Sequence, residues 1–133
     1  MTEYAETNWA LATVVMFAAP VIVSIVTIAG LVALRRSGLR SWYVIVGSIA
    51  ALVVVLTIMA WAPTISQPSG IELSCDAAFE VAAFQATTGN VFPEWARVCK
   101  TAGLRHLLVA VLISVIWGVV IVLIARGRRL ASR

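Results

Sequence analysis

Three long apolar runs dominate this chain and limit what it can fold into. They cover residues 9–34, 42–62 and 107–125, and none of them contains Asp, Glu, Lys or Arg. A helix rises about 1.5 Å per residue, so roughly 20 apolar residues cross a hydrocarbon core about 30 Å thick. Each run is therefore predicted to form a transmembrane helix, in agreement with the 62% hydrophobic composition. We expect an all-α integral membrane protein with three such helices.

The basic residues predict how the chain is oriented. All six acids lie in the tail 1–8 or in the segment 63–106, whereas the linker 35–41 and the tail 126–133 contain none. Basic residues beside a span are retained on the cytoplasmic side. We therefore expect a plasma (inner) membrane protein with its N-terminus outside and its C-terminus in the cytoplasm. The topology-determining residues are Arg35, Arg36, Arg40, Arg126, Arg128, Arg129 and Arg133. These arginine clusters could also bind anionic lipid headgroups.

The only two cysteines, Cys75 and Cys99, lie in the polar segment 63–106. The predicted orientation places them in an oxidising compartment, where disulfides form. Helical flanks around the Gly-, Asn- and Pro-containing stretch 87–93 predict an extracytoplasmic helical hairpin, in which residues equidistant from the turn meet. A disulfide is expected, contributing on the order of 3 kcal/mol. The alternatives are a metal site formed by both thiols with His106, or a redox-active pair.

Four aromatic residues of the hairpin, Phe79, Phe84, Phe92 and Trp95, are the candidates for contacts outside the chain. Amphipathic aromatic side chains often rest on lipid headgroups. They could equally pack on a partner subunit. We therefore treat them as partner-docking candidates.

Charged residues of the hairpin suggest an ion-paired surface. Glu72, Asp76 and Glu80 follow one another at i, i+4 spacing and would form an acidic stripe on a helix. Arg97 and Lys100 would lie close to Asp76 if the cysteines pair. The stripe could instead bind a cation such as Ca²⁺ or a basic partner. His106, at the outer end of the third span, is expected to hydrogen-bond locally or to meet headgroups.

Aromatic residues also mark the predicted spans. Trp9, Trp42, Tyr43 and Trp61 stand at span ends, as in the aromatic belts of membrane proteins. Trp117 lies in the middle of the third span, so we expect it to fill a packing groove between helices.

The stretch 103–107, Gly-Leu-Arg-His-Leu, resembles the middle of the haem-binding motif of the cytochrome b subunit of succinate dehydrogenase, a three-span protein of about this size. The haem-ligand position of that motif falls on Cys99 instead of His. The aromatic residue and Asp that end the motif fall on Val109 and Ala110. Because the ligand is replaced, we expect neither haem nor another cofactor.

Residues that usually carry catalysis or transport are missing from the sequence pattern. The spans hold no ionisable side chain, and the chain has no Gly-rich phosphate loop and no Ser-His-Asp set with a plausible spacing. We expect a non-enzyme, and nucleic acid is not an expected partner because orientation alone explains the arginines. The leading hypothesis is a small accessory, assembly or stabilising subunit of a larger plasma-membrane complex. It would dock on other integral or exported subunits through its disulfide-closed hairpin. The alternatives are a self-oligomerising pore or holin-like channel, and a small oligomeric sensor or transporter.

Overall fold

The computed structural model describes residues 5–35, 42–66, 68–86 and 92–131, and these residues are mostly helical. Three helices are long and apolar enough to cross a membrane, as the apolar runs predict. In chain order the elements are β1 (Ala5–Thr7), α1 (Trp9–Arg35), α2 (Trp42–Ala60), β2 (Thr64–Ser66), β3 (Glu72–Ser74), α3 (Ala78–Ala82), β4 (Phe84–Ala86) and α4 (Glu94–Ala131).

Helix α1 begins at a polar cap. The backbone N–H of Leu11 donates to Oδ1 of Asn8 at 3.1 Å, which satisfies one of the free donors of the first turn. Asn8 also bonds to a part of the chain that is distant in sequence, because its backbone N–H donates to the carbonyl oxygen of Ala83 at 3.1 Å. Its Nδ2 donates to Oε1 of Gln85 at 3.2 Å. One residue thus starts the helix and ties it to β4.

Helices α1 and α4 run parallel to each other, and α2 runs antiparallel to both. Val26 packs beside Gly118, and Gly30 lies so close to Ile121 that a Cβ on the glycine would overlap the isoleucine side chain. The paired residue numbers rise together, so the two helices point the same way. The three helices all contact one another and form a small bundle.

The bundle has an apolar core at each end. The cluster nearer β1 and α3 is formed by Ala19, Val23, Val55, Met59 and Ala110. The cluster at the opposite end is formed by Leu34, Val44 and Ile121. Small residues let the backbones approach, as is usual for helices that pack without a hydrophobic driving force.

Between these clusters the helices are joined by side-chain hydrogen bonds. Nε1 of Trp117 donates to Oγ of Ser48 at 3.0 Å. Oγ of Ser48 also lies 2.8 Å from Oγ1 of Thr27, so the bonds link all three helices. The Trp117 ring lies against Gly47, where a Cβ would overlap it. The expectation that Trp117 fills a packing groove is confirmed.

The remaining elements form a cap over one end of the bundle. We define the cap as residues 5–8, 61–66, 68–86 and 92–103. It contains two antiparallel two-stranded sheets, in which Glu6 pairs with Gln85 and Ile65 pairs with Leu73. The turn between β2 and β3 needs a glycine, because Gly70 has a φ of 78°.

The prediction of two helical flanks is wrong for the first one. Only five residues, in α3, are helical there, and strands precede and follow them. The reason is a period-two pattern: Leu73 points inward between the exposed Glu72 and Ser74, and buried Phe84 precedes exposed Gln85. The all-α expectation therefore applies to the spans but not to the cap. Residues 87–91 of the predicted turn lie outside the described residues.

The second flank is helical but not separate from the span. Helix α4 runs for 38 residues without interruption, from Glu94 to Ala131. At about 1.5 Å per residue this corresponds to roughly 57 Å, well beyond a hydrocarbon core of about 30 Å. A single continuous helix therefore connects the cap to the far end of the bundle.

Candidate functional site

A disulfide joins Cys75 to Cys99 with a Cα–Cα distance of 5.8 Å, which confirms the predicted bond. Both cysteines are buried, with exposed fractions of 6% and 2%. The bond connects the loop after β3 directly to α4, which is itself one of the long apolar helices. The disulfide therefore fixes the β3–α3 part of the cap to the helix that continues into the bundle. With both sulfur atoms in the disulfide, neither is available as a thiolate ligand for the metal site considered above.

The interior of the cap packs around this bond. Cys75 and Cys99 share a cluster with Val81, Phe84 and Ala96. Gly103 of α4 allows α3 to come close, since a Cβ there would lie 2.6 Å from the carbonyl oxygen of Ala78.

Lys100 closes one side of this interior. Its Nζ donates to the carbonyl oxygen of Phe84 at 2.8 Å and lies 5.9 Å from the centroid of the Phe92 ring. Cations are attracted to the face of an aromatic ring at such distances. The lysine therefore holds β4 against α4 next to the disulfide.

The four aromatic docking candidates do not form one exposed surface. Phe84 is only 4% exposed and meets Trp95 edge-on, with ring centroids 6.0 Å apart, so its assignment as a docking residue is wrong. Phe79 packs on the core of the bundle, and Phe92 is half-buried against the cap interior. Trp95 alone among the four is exposed, at 43%. Sequence patterning cannot distinguish these cases, because an aromatic residue in a polar segment suits either a small core or a surface.

The predicted acidic stripe does not form. Glu72 belongs to β3, Asp76 to the following loop and Glu80 to α3, so the three do not share a helical face. Asp76 is exposed and makes no ion pair with Arg97 or Lys100, contrary to expectation. The i, i+4 argument fails here because it requires a continuous helix.

His106 makes a local hydrogen bond. Its Nδ1 donates to the carbonyl oxygen of Ala102 at 2.9 Å, which corresponds to the tautomer protonated at Nδ1. Within the described ranges, no group of three or more His, Cys, Asp or Glu side chains is placed to hold a metal ion.

The exposed face of α4 within the cap forms a groove with β2. Its volume is about 310 Å³, and its lining residues are Ile65, Arg97, Val98, Thr101, Ala102 and Arg105. Arg97, Thr101 and Arg105 recur every four residues and so lie along one side of the helix. Two guanidinium groups thus flank an apolar floor. We call this the α4 groove.

Exposed aromatic residues stand at both ends of the bundle. Trp9 begins α1 and Trp61 follows α2, so both lie at the cap end. Trp42 and Tyr43 begin α2 at the opposite end and are also exposed. This arrangement matches the two aromatic belts of a membrane protein.

Two of the predicted topology-determining residues can be located fully. Arg35 ends α1 and Arg126 lies near the end of α4, and both are exposed at the end of the bundle away from the cap. Arg36, Arg40 and Arg133 lie outside the described residues, as do the side chains of Arg128 and Arg129.

Sequence reasoning missed two parts of this site. Asn8 directly before an apolar run is a recognised helix-start signal and could have been found. The α4 groove could not, because β2 and α4 are separated by about thirty residues of chain and meet only in the folded cap.

The fold and the site together define a structural class of protein. It is a bundle of three apolar, membrane-length helices with a cap that contains a disulfide. No protein-family model, curated protein or solved structure matches the chain.

Proposed function

We propose that the chain is a non-catalytic accessory or assembly subunit of a larger plasma-membrane complex. Its three long helices lie in the bilayer with the cap on the extracytoplasmic side, and the cap docks on a partner subunit. The observation that carries this proposal is the disulfide that fixes the β3–α3 part of the cap to α4. A surface fixed in this way can bind without a large loss of conformational freedom.

The α4 groove is the docking surface in this proposal. Val98 lines the groove, and Trp95 is exposed three residues earlier on α4. Exposed aromatic and arginine side chains are enriched in protein interfaces. Arg97 and Arg105 give the groove a positive charge. The matching partner is an extracytoplasmic polypeptide segment in which acidic residues alternate with apolar ones.

A polypeptide fits the groove better than lipid headgroups do. Ala78 bonds to the carbonyl oxygen of Trp61 and contacts Gly103 of α4, so Arg105 lies near the level of Trp61. Arg97 lies eight residues, or about 12 Å, further out along α4. The headgroup layer adds only about 5–8 Å on each side of the hydrocarbon core. A phosphate in that layer would reach Arg105 and leave Arg97 unpaired.

A pore has weaker support than a docking subunit. The Trp117 side chain occupies the contact between α2 and α4. The outward-facing side chains of the described helices are largely apolar and suit lipid; they include Val14, Phe17, Ile25, Ile28, Val53, Leu112 and Ile116. An oligomeric pore would need a polar face on at least one helix. The same argument applies to a transporter.

The test is photo-crosslinking in native membranes followed by mild detergent extraction. A crosslinking amino acid at Val98 should capture one defined protein, whereas the same group at Ile116 on the apolar part of α4 should not. Substituting both groove arginines, R97E/R105E, should abolish the crosslink and co-purification. The matched variant R97K/R105K keeps the charge and should retain both.

Two results would contradict the proposal. One is a Val98 crosslink to lipid alone, which would make the groove a headgroup site. The other is a protein crosslink that persists unchanged in R97E/R105E, which would place the partner elsewhere.

A further inference from the structure

A second groove runs between α1 and α4 at the end of the bundle away from the cap. It has a volume of about 670 Å³ and is lined by apolar side chains except for Arg126 at one end. Four of its lining residues are small, namely Ala29, Gly30, Ala33 and Gly118. At the two glycines the helices contact each other directly, through Ile121 and Val26, so the open space lies along the short side chains of Ala29 and Ala33. Ala29 and Val119 are exposed, so the groove opens to the outer surface of the bundle.

The open end of this groove is positively charged. Arg126 lines it, and Arg35 lies at the same level, because Gly30 contacts Ile121 and each arginine follows five residues later on its own helix. The sequence places no Asp or Glu between residues 7 and 71 or after residue 94. The acidic side chains that the structure describes all lie in the cap, at the other end of the bundle: Glu6, Glu72, Asp76, Glu80 and Glu94.

The length of the groove matches one leaflet of a bilayer. From Val115 to Arg126 it extends over twelve residues of α4, a rise of about 16 Å. Half of a hydrocarbon core of about 30 Å is about 15 Å. An acyl chain lying in the groove would therefore place its phosphate at the level of the arginines.

We infer that this groove binds one anionic phospholipid, with an acyl chain between α1 and α4 and its phosphate on Arg35 and Arg126. Basic sites between membrane helices bind anionic headgroups in this way. The inference rests on the membrane insertion proposed above but does not require the partner or the α4 groove.

The experiment is native mass spectrometry of the purified full-length chain, exchanged into detergent containing equal amounts of phosphatidylglycerol and phosphatidylcholine. One phosphatidylglycerol per chain should be retained in preference to phosphatidylcholine. R126Q should weaken its retention about fivefold, and R35Q/R126Q about 25-fold. E94Q changes the charge by one unit at the start of α4, outside both grooves, and should leave retention unchanged.

A second variant tests the apolar part of the site. A29L places a larger side chain in the groove and should reduce phosphatidylglycerol retention although both arginines remain. A50L enlarges an exposed alanine of α2 outside the groove and is its control. Retention of the disulfide and of the helical circular dichroism signal shows that each variant is folded.

Three results would overturn the inference. They are equal retention of the two lipids, retention unaffected by both R35Q/R126Q and A29L, or a dimer crosslinked through A29C that holds no lipid. The last would make a second copy of the chain the occupant. A failed partner capture at Val98 would leave the lipid result unchanged, so the two proposals can fail separately.

Discussion

The indole N–H of Trp117 donates to the hydroxyl of Ser48, 3.0 Å away, next to the position where Gly47 leaves room for the ring. A membrane-length helix thus presents its largest side chain to the smallest residue of its neighbour. This contact determines how closely α2 and α4 can approach.

The first prediction concerns this contact. In G47A the new Cβ would overlap the Trp117 ring, so we expect a loss of about 1–3 kcal/mol in the free energy of unfolding. Unfolding in detergent followed by circular dichroism measures it. G127A is the matched control, because a Cβ at Gly127 meets no atom within 4 Å. Equal stability of the two variants would contradict the observed packing.

The second prediction concerns the disulfide. Replacing both cysteines in C75S/C99S should destabilise the cap by about 3 kcal/mol, since a closed loop of this length restricts the unfolded chain. Hydrogen exchange should speed up in α3 and β4, while the amides of α1 and α2 within the bundle stay protected. Adding reductant to the unmodified protein should produce the same pattern. Faster exchange throughout the bundle would show that the cap is not a separate unit.

The third prediction separates the two roles of Asn8. N8A removes the side-chain oxygen that accepts a hydrogen bond from the first turn of α1, together with the contact to Gln85. We expect it to lower the free energy of unfolding by about 1 kcal/mol. Q85A removes only the exposed contact between the two side chains and should cost about 0.5 kcal/mol. Chemical or thermal unfolding of both variants measures the difference. A larger effect of Q85A would mean that helix capping is not the main role of Asn8.

The fourth prediction tests the orientation. The native cysteines are bonded and buried, so a single added cysteine at an exposed position can be labelled alone. In intact cells a membrane-impermeant maleimide should label S69C, in the β2–β3 turn, but not A131C at the end of α4. Permeabilised cells should show labelling of both. The reverse pattern in intact cells would show that the cap faces the cytoplasm.

The sequence by itself determined the helices and the disulfide. An uncharged run that is long enough to cross a bilayer can satisfy its backbone hydrogen bonds within itself only as a helix. Local composition is therefore sufficient to predict the three long helices. The disulfide was expected because the predicted orientation places both cysteines of one polar segment in an oxidising compartment. Trp117 was also assigned correctly, since a large aromatic residue at mid-span needs space between helices.

Only the tertiary structure decided the cap. Strands of three residues carry too little local signal to be predicted, and β1 exists because β4, nearly eighty residues later, pairs with it. Contacts within the cap buried Phe84, separated the acids of the expected stripe and formed the α4 groove, whereas the packing of α1 on α4 formed the second groove. Local pattern decides which backbone conformation each long segment adopts, but in short segments the partner across the fold supplies the hydrogen bonds and the burial. For that reason the three long helices were predictable from the sequence, and the two grooves were not.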